Sequence, residues 1–487
     1  MRGRFGFLLA LLAAVAGRAQ TLRYTVLVGG NRAGVQTAER VPGGWKVHYE
    51  YNDRGRGPKV DTVYRLEQGG RPLSAELSGN DYLKSPFREA FGPGGRGVRW
   101  ESPAEKGESD DRGAFFVSFN GPPFELGLLA GAALAAGDRM RLLPAGVVSC
   151  RRVGETSIGA GTLTQVEVSG LGFAPATVWL DAEGNFFATV DPWGTTIREG
   201  AEGSIDELLA IQTKSEKRFW TQLSGRCLRT PKRGIVIRNA RLFDVATLTA
   251  QEGISVVVEG ARIRSVGKNA SVVSPEGFDS IDAHGQTLMP GLWDMHVHVG
   301  DVDGPLNIAA GVTTVRDLGN DIDRAKALQT DWRDGSAIGP RMLLAGLIDG
   351  PGPFQGPTKV LVSTPEEARA AVDRYADLGY VQIKIYSSVA PKLVPVIVER
   401  AHARRLRVSG HVPAFMTAEQ AVAAGYDEIQ HVNFLFLNFF FDRVPDTARP
   451  RGSPRSRRAR RRSISLRRES RPFSTCSLPA APSSTPR

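Results

Sequence analysis

From about residue 289 to 447, short apolar strands alternate with capped amphipathic helices, and this alternation narrows the possible architectures more than any other feature. Strands joined through helices run parallel, because a tight hairpin can only reverse the chain. GLWDMHVH, GVTTVRDL, RMLLAGLI, VQIKIYSS, RVSGHVP and DEIQHVNF read as six such strands. STPEEARAAVDRYADLGY carries Thr364 as a cap, Pro365 at the first helical position, Glu367 three residues past the cap and Gly379 as a stop. TAEQAVAAGY repeats that logic with Thr417, Gln420 and Gly425. IDRAKALQTDWRDG reads as a helix, and APKLVPVIVERAHARR as another despite Pro395.

The 487 residues exceed one ordinary core, so two or three domains are expected. Residues 20–228 read as a β-rich domain: YTVLVGGNRAGVQTAERV alternates about a turn at Gly29, Gly30 and Asn31, and WKVHYEYND, KVDTVYRLE and GTLTQVEVSG continue the pattern. The single apolar helix expected there is Glu125 to Gly137. Residues 233–288 form short alternating strands that lead into the parallel region.

Charge is distributed unevenly. The net charge is +11, yet the last forty residues alone hold twelve Arg, no Lys and one Glu, which leaves the remainder neutral. The first nineteen residues have Arg2 and Arg4 ahead of an apolar run and end on small residues, the pattern of a secretory signal peptide. A secreted or periplasmic protein is therefore expected, with no stable membrane insertion after cleavage. Three cysteines suit an oxidising compartment without demanding a disulfide framework, and Cys150 and Cys227 could pair.

Four of the seven histidines fall at strand ends. Side chains alternate along a strand, so His296 and His298 face the same way and can reach one metal ion. His411 lies near the end of RVSGHVP and His431 near the end of DEIQHVNF. In a parallel barrel such ends converge on the face where active sites are built. Lys384 shares a strand face with Gln382 and Tyr386, opposite Val381, Ile383 and Ile385. A lysine there must be paired, modified or able to snorkel. Beside divalent cations its amine would lose its proton and could take up carbon dioxide as a carbamate. His48, His284 and His402 read as packing or surface residues, while Arg316, Asp317 and Tyr386 could support the ligands or touch substrate.

With MPGLWDMHVH, GVTTVRDLG, VQIKIYS, VSGHVP and IQHVNF in this order, the chain resembles the metal-dependent amidohydrolase superfamily, and within it the secreted imidazolonepropionase-like and prolidase-like amidohydrolases. The resemblance covers about residues 233–447. It implies an α/β fold, a (β/α)8 TIM barrel flanked by a small β-sandwich to which residues 233–288 contribute. It implies two divalent metals, zinc or a similar ion, with His296 and His298 on one, His411 and His431 on the other, and carboxylated Lys384 between them. Lys384, His411 and His431 are the expected catalytic residues, in an enzyme that cleaves a carbon–nitrogen bond of a cyclic or peptide-like amide with metal-activated water.

The family also carries an aspartate at the end of strand eight. After Asp446 and Thr447 the text turns to Arg, Ser and Pro without apolar periodicity, so about six barrel strands are expected, with a disordered tail over 448–487 and impaired activity. The tail reads as a GC-rich coding sequence in the wrong frame or as an Arg-rich arm for nucleic acid or anionic membrane; the first suits an exported, otherwise neutral enzyme, and no nucleic-acid partner is expected. The rival reading of the whole is a non-catalytic exported binding protein with a relic barrel.

Overall fold

A computed structural model describes residues 20–448 apart from 96 and 160; the expected signal peptide and the Arg-rich tail past Ala448 lie outside these residues. The fold is mixed α/β, with large sheets.

Fifteen strands between Thr21 and Arg198 join in one sheet, antiparallel except where Phe115–Phe116 runs parallel to Arg139–Leu143. The first strand, Thr21–Val28, pairs with both Asn31–Val41 and Gly194–Arg198, so the start and finish of this region meet mid-sheet. Gly29 and Gly30, at φ 56° and 77°, make the expected turn, because both positions lie in the left-handed region that glycine enters without a Cβ clash. The expected apolar helix spans Phe124–Ala135. It buries Phe124, Leu129, Ala132 and Ala133 in one cluster with Trp45, Tyr64, Phe91 and Phe186. Gly127 admits the ring of Phe186, whose Cβ would stand 2.6 Å from any Cβ added there.

A 23-residue helix, Ile205–Cys227, was not expected from the sequence. Its buried stripe is Leu208, Gln212, Ser215, Trp220 and Ser224, and with three polar members it shows no apolar periodicity. The helix links two cores: Leu208 packs with Trp179 and Ile197 of the antiparallel sheet, and Trp220 joins the core of the parallel one. Ser224 donates to the Gly335 carbonyl, and Lys217 pairs with Asp331 at 2.9 Å.

Gly234–Asp244, Thr249–Glu259, Arg262–Lys268, Asp279–Asp282 and Thr287–Leu288 form a five-stranded sheet. Val236, Ala240, Ile254 and Val256 are buried, whereas Ile263, Val266 and Ile281 are exposed.

The parallel sheet has six strands in chain order: Leu292–Val297, Val312–Asp317, Arg341–Ile348, Gln382–Ile385, Arg407–Gly410 and Glu428–Ile429. Flat, it would hold its first and sixth strands ~24 Å apart at ~4.8 Å per interval. Instead the rings of His296 and His431, from those two edges, have centroids 4.6 Å apart, and Arg316 of the second strand reaches Glu428 of the sixth at 2.6 Å. The sheet is therefore strongly curled. Helices Asp303–Ala309, Ile322–Asp334, Pro365–Asp377, Val394–Ala403 and Ala418–Ala423 make the crossovers. Thr364 with Glu367, and Thr417 with Gln420, form the two expected capping boxes. Pro395 is tolerated because the helix begins at Val394, leaving the missing N–H in the first turn, where no intrahelical partner exists. Among the described residues, Cys150 and Cys227 are unpaired, and no helix is long and apolar enough to cross a membrane.

Candidate metal centre

His296 lies on the first parallel strand, with His298 one residue past its end. His411 follows directly on Arg407–Gly410, and His431 comes two residues after the short sixth strand. Curling brings all four together. Ring centroids are 5.4 Å apart for His296 and His298, 4.6 Å for His296 and His431, and 5.0 Å for His411 and His431. His431 adopts φ 64°, a backbone conformation that costs a side-chain-bearing residue free energy and is commonly retained at functional sites.

Lys384 enters the cluster from the fourth strand. It is 1% exposed, and its Nζ lies 3.3 Å from His296 Nε2. Burial takes its pKa down to about 8, opposed by the carboxylate of Asp317 and aided by the cation of Arg316. Burial, followed by the charge of Lys384, takes His296 down to about 4. Burial also holds His411 well below the ordinary histidine range. Burial thus holds two of the imidazoles, His296 and His411, neutral at neutral pH.

Neighbouring groups fix two rings. His298 Nδ1 faces the Gly319 carbonyl at 2.9 Å, and only an N–H can donate to that oxygen, so in the neutral ring the lone pair falls on Nε2. Gly319 makes the approach possible, because an added Cβ would lie 2.9 Å from the His298 ring. Asp317, fully buried, accepts from the N–H groups of Val299 and Gly319 and from Asn320 Nδ2, which fastens the turn carrying His298. His411 Nδ1 shares a 2.7 Å hydrogen bond with Ser387 Oγ, while its buried Nε2 has no partner among the described residues. The rings of Tyr386 and Phe434 cover His411 at 4.0 and 4.6 Å.

Arg316 does not line the cluster. Its guanidinium donates to the Met295 carbonyl, Gln382 Oε1 and both oxygens of Glu428, so it braces the curl from within. Sequence reasoning missed Glu428, Ser387 and Asp349. The last is fully buried at the end of the third strand and accepts from the N–H groups of Gly356 and Ser388. Of the histidines set aside, His48 meets Asp61, His402 meets Asp427 and His284 sits in a turn at φ 48°. Pro445 and Thr447 run beside the loop after His411, through Phe415 N–H to the Pro445 carbonyl and Thr447 Oγ1 to the Val412 carbonyl.

As they stand, no three or more His, Cys, Asp or Glu side chains among the described residues are placed to hold a metal ion. The donor set nevertheless suits one. Four imidazoles, two of them held neutral, and an amine of lowered pKa surround an orphaned buried Nε2, and neutral imidazole is a favoured ligand of zinc-like ions.

Comparison with known proteins agrees with the motifs. The chain is 39% identical over 64 residues to an adenine deaminase of Ruegeria sp. (strain TM1040), a match covering 13% of this chain and 11% of that one. It is 36% identical over 67 residues to a dihydroorotase of Geobacter metallireducens, covering 14% and 15%. Over these short stretches the chain is similar to both enzymes. These matches span less than a sixth of the relatives' lengths, and no family model matches the chain. Among solved structures, a Xaa-Pro dipeptidase with bound methionine in the active site is 24% identical, covering 42% of this chain and 65% of that one at a TM-score of 0.36.

Proposed function

We propose that the chain is a metal-dependent hydrolase of carbon–nitrogen bonds in cyclic or peptide-like amides. His296 and His298 would hold one divalent ion, His411 and His431 a second, and Lys384, carboxylated on Nζ, would bridge them. Zinc is the ion this donor set favours. A bound pair would supply Lewis acidity and a hydroxide nucleophile near neutral pH. The observation that carries the reading is the fully buried Lys384 amine within hydrogen-bonding distance of His296, in a box of imidazoles that includes an unpartnered His411 Nε2.

The protein's own residues account for the rest. Burial lowers the Lys384 pKa to about 8, so a minor share of the amine is unprotonated near neutral pH, and only the free amine reacts with carbon dioxide. The Gly319 carbonyl and Ser387 orient two rings, and Asp317 immobilises the first turn. Tyr386 and Phe434 exclude water from one side of His411. Export through the N-terminal segment, the barrel lineage of the curled sheet and impairment of turnover belong to the same proposal.

The test is elemental analysis and hydrolysis of acyl-amino-acid and dipeptide substrates by protein prepared without chelator, alongside a Lys384→Met variant. About two zinc ions per chain and measurable hydrolysis are expected, with Lys384→Met losing both while remaining folded. A wild type that binds no metal and cleaves nothing would instead support a non-catalytic binding protein.

A further inference from the structure

The antiparallel sheet reaches the centre at one point. Its third and fourth strands, Gly44–Tyr51 and Lys59–Leu66, extend into a tight turn in which Asp53 and Arg56 exchange backbone hydrogen bonds at 2.9 Å. Arg54 and Gly55 occupy its two central positions at φ 53° and 88°. Glycine or asparagine normally fills the first of these, so an arginine held there is a local expense worth explaining. The neighbouring tip, at Gly29, seats on Pro357, in the loop after the third parallel strand. Two adjacent hairpin tips therefore face the loops that rim the histidine cluster.

Asp53 holds Arg54 through Nε at 2.8 Å and Nη2 at 3.4 Å, which fixes the guanidinium plane. Asp53 is held in turn by Arg56 and the Tyr82 hydroxyl. Nη1 of Arg54 lies 3.5 Å from the Tyr386 hydroxyl, a long contact that leaves donor capacity unused. Tyr386 is itself clamped, with His411 at 4.0 Å on one side and the Gly356 backbone so close that an added Cβ would stand 2.6 Å from the ring. The Tyr386 side chain thus touches both the fixed cation and His411 of the cluster. The nearby carboxyl of Asp349 is enclosed by the Gly356 and Ser388 N–H groups, so it does not neutralise Arg54 through direct contact.

We propose that Arg54 is a specificity-determining residue: the antiparallel sheet lends one cation to the mouth of the centre, and its Nη1 binds a carboxylate carried by the substrate beside the scissile amide. This rests on the reading of the centre given above. It gives the N-terminal sheet a role in choosing acidic, peptide-like substrates over neutral ones.

Calorimetry on the zinc-reconstituted full chain tests it, using N-acetylalanine and its neutral counterpart N-acetylalaninamide as probes. Wild type should bind the carboxylate roughly tenfold tighter or more, as a charge-assisted hydrogen bond implies. Arg54→Ala should remove that preference while leaving affinity for the amide and zinc content unchanged, and Arg54→Lys should restore part of it. Equal affinity of wild type for both probes, no binding of either, or an Arg54→Ala loss shared equally by both would overturn the proposal. Zinc measured on the same samples separates the two readings: if zinc binds and the preference is missing, only the role of Arg54 falls, whereas a wild type without zinc removes the centre as well.

Discussion

At His411 the two ring nitrogens have unlike surroundings, with Ser387 Oγ 2.7 Å from Nδ1 and nothing in the described protein bonded to Nε2. If Nε2 is a ligand, Ser387 must accept from Nδ1–H, and the serine then governs both tautomer and ring angle. Ser387→Ala should therefore lower zinc affinity roughly 10- to 100-fold, as loss of such a partner does elsewhere, with little change in unfolding temperature. Competition with a chromogenic chelator measures it, and unchanged affinity would show that the hydroxyl is incidental. The histidines and Lys384 were legible in the sequence because each falls at a fixed offset from a strand end or alternates along a strand. Ser387, Asp349 and Arg54 were not. Their partners are backbone N–H groups, a ring nitrogen and a tyrosine hydroxyl far away in sequence, and no local pattern encodes such pairings.

At the scale of elements, capping chemistry was the most dependable guide. Thr364 with Glu367 and Thr417 with Gln420 signal a helix start through two reciprocal hydrogen bonds confined to four residues, and both formed as read. The helix Ile205–Cys227 escaped notice because Gln212, Ser215 and Ser224 occupy its buried face and the periodicity of that face is not apolar. Gln165 Nε2 donating to Ser215 Oγ shows what such a stripe needs, a hydrogen-bonding surface opposite it. Trp220 packs into the core of the parallel sheet, in one cluster with Trp332 and Ala337. Trp220→Ala should cost about 3–5 kcal/mol, as for other large aromatic truncations. Urea unfolding followed by circular dichroism would check this; a loss below about 1 kcal/mol, far under that range, would mean the helix is only loosely seated.

Over the whole molecule, the N-terminal sheet carries its own response to pH. Glu125, in the first turn of the helix Phe124–Ala135, is buried, and the Ser118 N–H, the Ser118 hydroxyl and the Tyr64 hydroxyl donate to it. Burial nevertheless dominates and raises its pKa above the ordinary carboxyl value. A carboxyl raised by folding stabilises the protein fully below its unfolded value of about 4.3. That contribution fades as pH climbs through the folded-state value. The difference in urea midpoint between wild type and Glu125→Gln should therefore shift against wild type as pH rises from 4 to 8; a difference that stays flat would show that the three donors already balance the burial.

The curl of the parallel sheet has a mechanical consequence. His296 and His431 sit on opposite rims, more than a hundred residues apart along the chain, yet their rings nearly touch. Two ions held side by side, one from each rim, would fasten the seam like a buckle, and a chelator would then loosen the architecture as well as stop any chemistry.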